Sequence, residues 1–506
     1  MTTKGPELGH SVVLVAVDEE TNAERRPLLS RGSSDTPPSS TSLARTPRLQ
    51  VYLLFAVVAG LDSTIFMLSL PLTRVYESIT CYQWYAVEQP GVYPDPNTVP
   101  EDMCKIGPVQ EKLALIRGLE FFFMAAPGML TAIPYGMLAD QWGRRPVLRL
   151  CVLGLVAAVT EVLLVCQLWR FIPLQFVWLG WLLTFVGGGA AVLNSTVFAM
   201  LAEMVEEKDR ATVFLQLNIA ILTAQLISTP TTAALMARFG TTVPIVFGFS
   251  VGILSSLLAL LVPETKSSRP VCKPSEVLDV GVAPSEPLPE NGKPGTLSII
   301  FQTLSKVGSL FRSPALLALL GTLFIDTFTS TTSVFVVQYI SAKFALTIAA
   351  AGSLITIKAV VAIVFFLVLV PAAKSSLQER WHLSSKTTDL WLARAMIACS
   401  PAGLVLMALS PNLVVMAAGM VLVALSGGST SPVRSVSTGL VDPSQLSLLY
   451  GVINVTQGAA TLVAAPLLSE LFGTGLRWGA GWVALPFAVA AALSVVSCLA
   501  IWLTKP

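Results

Sequence analysis

The sequence predicts an all-α membrane protein with twelve transmembrane helices in two six-helix halves. Composition, the spacing of apolar segments and a polar stretch in mid-chain together support this fold class. Of the 506 residues, 54% are hydrophobic and only 12% are charged, whereas about 25% are charged in an average soluble protein. So few charges cannot cover the surfaces of several soluble domains, but a lipid-facing surface needs none.

Twelve apolar segments are long enough to cross a bilayer, which takes about 20 helical residues. They are 50–71, 113–138, 147–168, 172–201, 212–236, 243–263, 314–340, 347–372, 389–410, 412–436, 445–470 and 479–503. Six of them fall in residues 49–263 and six in 314–506, and we expect these two ranges to form the halves.

The remaining stretches of the chain are polar. Residues 1–48 contain Pro, Ser and Arg and predict a disordered tail, and residues 264–313 predict a flexible linker between the halves. Arg and Lys concentrate in the tail, in the linker and in the loops after the second, fourth and eighth helices. Because positive charge favours the cytosolic side, we expect both termini in the cytosol.

The first loop on the opposite side, roughly 73–112, contains Cys81 and Cys104. An oxidising compartment would favour a disulfide between them, and two unrelated thiols are the alternative. The cysteines lack metal-ligand spacing, and the chain has only two histidines, both outside the apolar segments. We therefore expect no metal site, no cofactor and no enzyme activity.

The most specific local motif joins the second and third helices, where residues 136–146 read GMLADQWGRRP. Gly136 and Gly143 are expected where the backbone bends. Asp140 is expected to meet the N-terminus of a neighbouring helix.

Two arginines of the same motif, Arg144 and Arg145, are expected to pair with Glu203 at the end of the fourth helix. Such a cluster would hold the halves in one conformation and release them in another. A turn that only fixes helix packing is the alternative.

The motif resembles the loop-two signature of the major facilitator superfamily, GxLaDrxGRR. Glu203 with Arg210 resembles the motif that follows helix four in that family, and residues 263–265 (PET) resemble its end of helix six. Residues 432–435 resemble a fungal branch related to folate-transporter-like solute carriers. The resemblance covers about 50–503 and implies a cavity lined by helices one, four, seven and ten.

Two departures from the family's drug–proton antiporters concern helices four and five. Residues 184–187 lack the arginine that such antiporters carry in helix four, and residues 228–232 lack their GPxxGG-like element. Both gaps weaken drug–proton antiport as an interpretation.

Ionisable residues inside the predicted helices are the other functional indication, since a charge at mid-membrane costs at least about 2.5–3.5 kcal/mol. They include Asp62, Arg117, Glu120, Glu161, Asp326, Lys358 and Arg434. Given the helices that the resemblance places around the cavity, Asp62, Asp326 and Arg434 are the first candidates for contact with substrate or protons.

Arg117 and Glu120 are three residues apart on one helix face, so a self-satisfied pair is their alternative role. Lys358 and the polar Asn194 complete the candidate set. For all these residues, locking neighbouring helices together is the simpler explanation.

The sequence therefore indicates a secondary transporter of a small organic solute that works by alternating access and is coupled to protons. Fungal relatives of this kind often export metabolites, which favours efflux. Import of organic anions, or a nutrient sensor that binds without flux, are the alternatives. The expected partners are the lipid bilayer, the solute and protons, with no nucleic acid, and the protein is expected to be a monomer in the cell membrane or the vacuolar membrane.

Overall fold

The computed structural model describes residues 47–205, 207–264, 313–381, 385–438, 440–441 and 446–503. Within these ranges the chain forms helices and short connections. The expected tail (1–48) and linker (264–313) fall almost entirely outside the described residues, as does the side chain of Arg210.

Seven helices form the first part of the chain within the described residues. They are α1 (Pro47–Glu88), α2 (Gly107–Trp142), α3 (Arg144–Gln167), α4 (Val177–Leu182), α5 (Gly189–Met204), α6 (Glu207–Phe239) and α7 (Thr242–Leu260). Two short 3₁₀ turns, Pro96–Thr98 and Asp102–Cys104, lie between α1 and α2.

Nine further helices are described in the second part. They are α8 (Pro314–Ser330), α9 (Ser333–Phe344), α10 (Ile348–Val364), α11 (Val370–Trp381), α12 (Ser385–Leu409), α13 (Leu413–Ser426), α14 (Thr430–Thr438), α15 (Leu446–Trp478) and α16 (Leu485–Leu503). A π-helical turn, Phe365–Leu369, joins α10 to α11.

Among the described residues, eleven helical segments are long and apolar enough to cross a membrane. Three of them combine two helices each, namely α4 with α5, α8 with α9, and α13 with α14. The shorter apolar helix α10 occupies the place of the remaining predicted span, 347–372, where the π-helical turn interrupts the α-helix. The order of the spans thus follows the order predicted from the sequence.

The first helix differs most from its predicted bounds. It was expected to end near residue 71, but α1 contains Pro71 and continues to Glu88, which shortens the following loop to 89–106. The extension contains Arg74 and Glu77, whose charges ended the predicted apolar segment. They are accommodated because they pair with each other at 2.8 Å.

The breaks within the combined spans depend on residues that replace lost backbone hydrogen bonds or lack side-chain bulk. Between α4 and α5, Gly187 has φ +96°, and a Cβ atom there would lie 2.3 Å from the backbone of Cys151 on α3. Between α8 and α9, the hydroxyls of Thr331 and Thr332 donate to carbonyls one turn earlier, at 2.9 and 2.7 Å. Such local partners make irregular backbone tolerable inside a membrane.

Small residues allow the helices to pack closely. On α1, Gly60 faces Ser255 of α7, where an added Cβ would lie 2.0 Å from the hydroxyl. On α2, Gly118 faces Ser469 of α15, where the corresponding distance to Cβ is 2.4 Å. Close packing of this kind replaces the hydrophobic driving force that lipid removes. The α2–α15 contact also fixes the two parts of the chain against each other around the cavities described next.

Candidate functional site

A cavity of about 320 Å³ lies between the two parts of the chain. Its walls come from the middle of α1, from α2, α3, α4 and α6, and from α8 to α10, α12 and α13. Large apolar side chains form much of the lining: Phe66, Phe121, Met124, Trp181, Met407 and Met420. We call this space the apolar cavity.

An ion pair of α2 lies in the wall of the apolar cavity. Arg117 Nη1 donates to Glu120 Oε2 at 2.7 Å, and Glu120 is only 4% exposed. The other carboxylate oxygen, Glu120 Oε1, accepts from the Tyr76 hydroxyl at 3.1 Å and from Trp181 Nε1 at 3.3 Å. Arg117 Nη2 also reaches Ser69 Oγ at 3.4 Å. Both carboxylate oxygens of Glu120 and both terminal nitrogens of Arg117 therefore have hydrogen-bond partners on α1, α2 or α4.

A second cavity of about 460 Å³ adjoins the first. It is formed by α8, α10, α12, α13, α14 and α15, and many of its lining residues are polar. We call it the polar cavity. The two cavities share three lining residues, Ser330, Lys358 and Val423.

Asp326 of α8 lines the polar cavity and is not part of the apolar one. Thr430 Oγ1 donates to Asp326 Oδ2 at 3.1 Å. The facing wall carries Gln457, whose Oε1 accepts from Arg434 Nη2 at 2.6 Å. Arg434 Nε is buried without a hydrogen-bond partner among the described residues. The structure thus places Asp326 in the lining of the polar cavity. Arg434 is not part of that lining, but it donates to the lining residue Gln457.

Lys358 of α10 lies where the cavities meet. In the described part of the chain it has neither a hydrogen-bond nor an ion-pair partner. Of the charged groups that share its cavities, Arg117 and Glu120 pair with each other, and Asp326 accepts a hydrogen bond from the uncharged Thr430.

Asp62 and Asn194 line neither of the two cavities. Asp62 is half-buried on α1, one turn before Phe66 on the same helix face. Asn194 is exposed on α5. Among the candidates, the structure therefore groups Arg117, Glu120, Lys358 and Asp326 around the cavities and leaves these two outside them.

The side of the bundle where α1 ends and α2 begins holds a buried charge network, and we call this the disulfide side. Glu77, 0% exposed, accepts from Arg74, Lys105 and Gln110 at 2.7–2.8 Å. Glu101 lies 3.1 Å from Lys105 and 3.4 Å from Arg74. Two cations thus balance two carboxylates.

The Cys81–Cys104 disulfide adjoins this network. The bond joins α1 to the loop before α2, with the Cα atoms 5.4 Å apart. Gln110 Nε2 donates to the carbonyl of Cys104 at 3.0 Å, as well as to Glu77. The disulfide therefore holds the loop that supplies Glu101 and Lys105.

Three residue pairs in the described part of the chain link α1–α7 to α8–α16 by polar contacts, and all lie on the disulfide side. Gln338 Nε2 donates to the carbonyl of Gln110 at 2.7 Å, and the backbone N–H of Ile348 donates to Glu101 at 2.6 Å. Arg477 lies 3.5 Å from Glu111. These contacts close the disulfide side above the apolar cavity.

At the opposite end of α2, the signature motif forms a compact turn. Arg144 pairs with Asp140 at 3.0 Å and with Glu203 at 3.2 Å. The backbone N–H groups of Arg144 and Arg145 donate to the carboxylate of Glu264 at 2.9 and 3.2 Å, so Glu264 caps the start of α3.

Two details of the motif differ from expectation. Arg145 does not reach Glu203 but donates to the carbonyl of Leu260 at 3.3 Å, because the start of α3 packs against the end of α7. Gly136 is not a bend: it lies inside α2, with open space around it. Gly143, with φ +105°, makes the turn alone.

Several important residues could not be found from local patterns. Tyr76 and Trp181, which bind Glu120, and Gln338, which binds Gln110, are uncharged side chains far from their partners in sequence. Glu264 belongs to the PET segment, which resembles a family motif, but nothing in the sequence indicated that it caps α3. No local spacing rule connects residues 228 positions apart.

Comparisons with known proteins agree with this architecture. A family model described as Major Facilitator Superfamily matches residues 52–382. The MFS efflux pump atnC of Emericella nidulans is 31% identical over 484 residues, which cover 95% of this chain and 92% of that protein. The MFS-type transporter aprT of Aspergillus flavus is 28% identical over 445 residues, covering 87% and 85%.

Solved structures show the same fold. A D-xylose–proton symporter superposes with a TM-score of 0.59 at 12% identity, covering 90% of this chain and 98% of that one.

Proposed function

This chain belongs to the major facilitator superfamily, and from that premise we propose that it exports a small organic solute by proton-coupled alternating access. As a member of that family it is an integral multi-pass membrane transporter and not an enzyme. The similarity to a protein named as an efflux pump supports the direction. The membrane remains, as the sequence suggests, the cell membrane or the vacuolar membrane.

The observation that carries the proposal is a cavity between the two parts of the chain that is crossed, on its disulfide side, by polar contacts that can separate. The contacts of Gln110, Glu101 and Glu111 with the second part of the chain are hydrogen bonds and one ion pair at side-chain ends. Such contacts can break without unfolding a helix, as rocking of two helix groups about a central site requires.

The direction of opening follows from the predicted topology. With both termini in the cytosol, the disulfide side faces outward, so the described state is closed to the outside. A solute would enter the apolar cavity from the cytosol, and release would require the three links on the disulfide side to open. The two-half organisation, with a linker at 264–313, is part of this proposal.

Two carboxylates are the proposed proton carriers, Asp326 and Asp62. Asp326 lines the polar cavity with one hydroxyl donor, and Asp62 is half-buried on the helix face that leads to the apolar cavity. Each can lose its charge by binding a proton when the site changes sides, which removes the cost of carrying an uncompensated charge through the membrane interior.

Solute flux in sealed proteoliposomes under an imposed pH gradient tests the proposal, with a panel of organic anions and hydrophobic metabolites. Asp326→Asn is expected to lower gradient-driven flux by about 10²-fold, the loss typical of a missing proton-transfer group. Asp389→Asn is the matched control, because Asp389 pairs with Lys374 and lines neither cavity. Solute binding without flux in any gradient would identify a sensor and contradict the proposal.

A further inference from the structure

We propose that Lys358 binds the acidic group of the transported solute, which makes the substrate class an apolar organic anion. This inference rests on the proposed function and specifies the substrate class for the same cavity. It starts from the position of Lys358, which lines both cavities. The other two residues that line both, Ser330 and Val423, are uncharged.

The ammonium group of Lys358 has no counter-ion among the described residues. A charge in the membrane interior costs at least about 2.5–3.5 kcal/mol, and such groups almost always pair with another group. Two other lysines of the span-length helices follow this rule. Lys343 donates to the Tyr339 hydroxyl, the Ala408 carbonyl and Ser410 at 2.7–3.2 Å, and Lys112 donates to Gln83 at 3.0 Å. Lys358 therefore lacks a partner that a solute could supply.

A solute in the apolar cavity meets Lys358 as the single unmatched charge of its described lining. Arg117 and Glu120 neutralise each other at 2.7 Å. Asp326 contributes to the polar cavity but not to the apolar one, and a hydroxyl already occupies one of its oxygens. With Lys358 protonated, the described lining of the apolar cavity carries a net positive charge, which favours an anion over a cation or a neutral solute.

The rest of the lining of the apolar cavity indicates the chemistry of the remainder of the solute. Phe66, Phe121, Met124 and Met420 provide apolar and polarizable surface, which adapts to varied hydrocarbon or aromatic groups. A volume of about 320 Å³ admits a solute the size of a substituted bicyclic acid. The fitting ligand has an apolar body with a carboxylate, sulfonate or phosphate at one end.

Equilibrium binding to the full chain in lipid nanodiscs tests this inference without requiring flux. The probes are dansylglycine, which carries a carboxylate, and dansylamide, which has the same ring system without charge. Wild-type protein is expected to bind dansylglycine at least about tenfold more tightly, the lower bound for a hydrogen bond to a charged group. Lys358→Gln should abolish the preference, and Lys358→Arg should retain it.

A matched control tests whether the preference depends on the position of Lys358 or only on the loss of one lysine charge. Lys112→Gln removes a lysine that is hydrogen-bonded to Gln83 at 3.0 Å and lines neither cavity, so the preference should persist. Thermal unfolding of each variant shows whether it is folded. Equal binding of the two probes to wild-type protein, absence of dansylglycine binding, or an unchanged preference in Lys358→Gln would overturn the inference. Gradient-driven flux of another solute could still be present in each of those cases, so the proposed function would be judged separately.

Discussion

Charged side chains in the membrane interior differ in whether neighbouring helices provide them with partners. Glu120 receives hydrogen bonds from Arg117, Tyr76 and Trp181, which makes it part of the packing of α1, α2 and α4. Asp62 and Lys358 have neither a hydrogen-bond nor an ion-pair partner among the described residues. The first kind of residue stabilises the fold. The second kind, together with Asp326 and its single hydroxyl donor, is where we expect solute or protons to bind.

The Arg117–Glu120 pair gives a stability prediction. Glu120→Leu leaves the Arg117 cation uncompensated and should lower the free energy of unfolding by about 3–5 kcal/mol. Arg117→Met combined with Glu120→Leu should cost less than the sum of the two single changes, because neither charge then remains alone. Thermal unfolding in detergent measures all three variants. Strictly additive losses would show that the two side chains do not act as a pair.

The sequence alone identified the charged residues of the site but not their partners. A lysine or carboxylate within an apolar segment is visible in the sequence, so Asp326, Lys358 and the Arg117–Glu120 pair could be selected. Their surroundings depend on which helices meet, and so the sequence could not place Arg434 beside the lining residue Gln457 or Asn194 outside both cavities.

At the scale of helices, hydrophobicity predicted the existence of the spans better than their ends. Apolar length locates each span, but the end of α1 depends on Glu77, which pairs with Arg74 on the same helix and with Lys105 of the following loop. The breaks between α4 and α5 and between α8 and α9 also needed the structure. A glycine or threonine inside an apolar segment is equally compatible with a continuous helix.

The turn between α2 and α3 offers a matched pair of glycine substitutions. Gly143→Ala should lower stability by about 1–3 kcal/mol, because φ is +105° and the new Cβ would lie 2.5 Å from the Glu264 carboxylate. Gly136→Ala should instead raise stability by about 0.5–1 kcal/mol, since its position is helical and open. Midpoints of thermal unfolding distinguish the two, and equal effects would contradict this description of the turn.

At the scale of the whole molecule, family membership confirms the predicted twelve-helix fold and the prediction of a membrane transporter. The relation to folate-transporter-like carriers, the monomeric state and the cytosolic termini stay predictions. What the sequence could not supply is the conformational state, because two of the three links between the parts of the chain depend on an uncharged or backbone group, Gln338 and the N–H of Ile348.

The disulfide should stabilise the closed outer side. Replacing Cys81 and Cys104 together by serine frees the loop that holds Glu101 and Lys105, and should lower stability by about 2–4 kcal/mol. Cys399→Ser is the control, because Cys399 is a free thiol whose hydrogen bond stays within its own helix. Thermal unfolding under non-reducing conditions measures the difference. Equal midpoints in the two variants would show that the disulfide does not support this side.

Cross-linking of the closed side tests the central claim, transport by alternating access, most directly. Gln110→Cys and Gln338→Cys would be combined, because the two glutamine side chains touch at 3.2 Å across the two parts of the chain. Flux of a transported solute in proteoliposomes would be measured before and after oxidation, with each single variant treated in the same way. We predict that oxidation abolishes flux in the double variant and leaves both single variants active. Full flux through the cross-linked protein would contradict the account, because solute would then cross without opening the disulfide side.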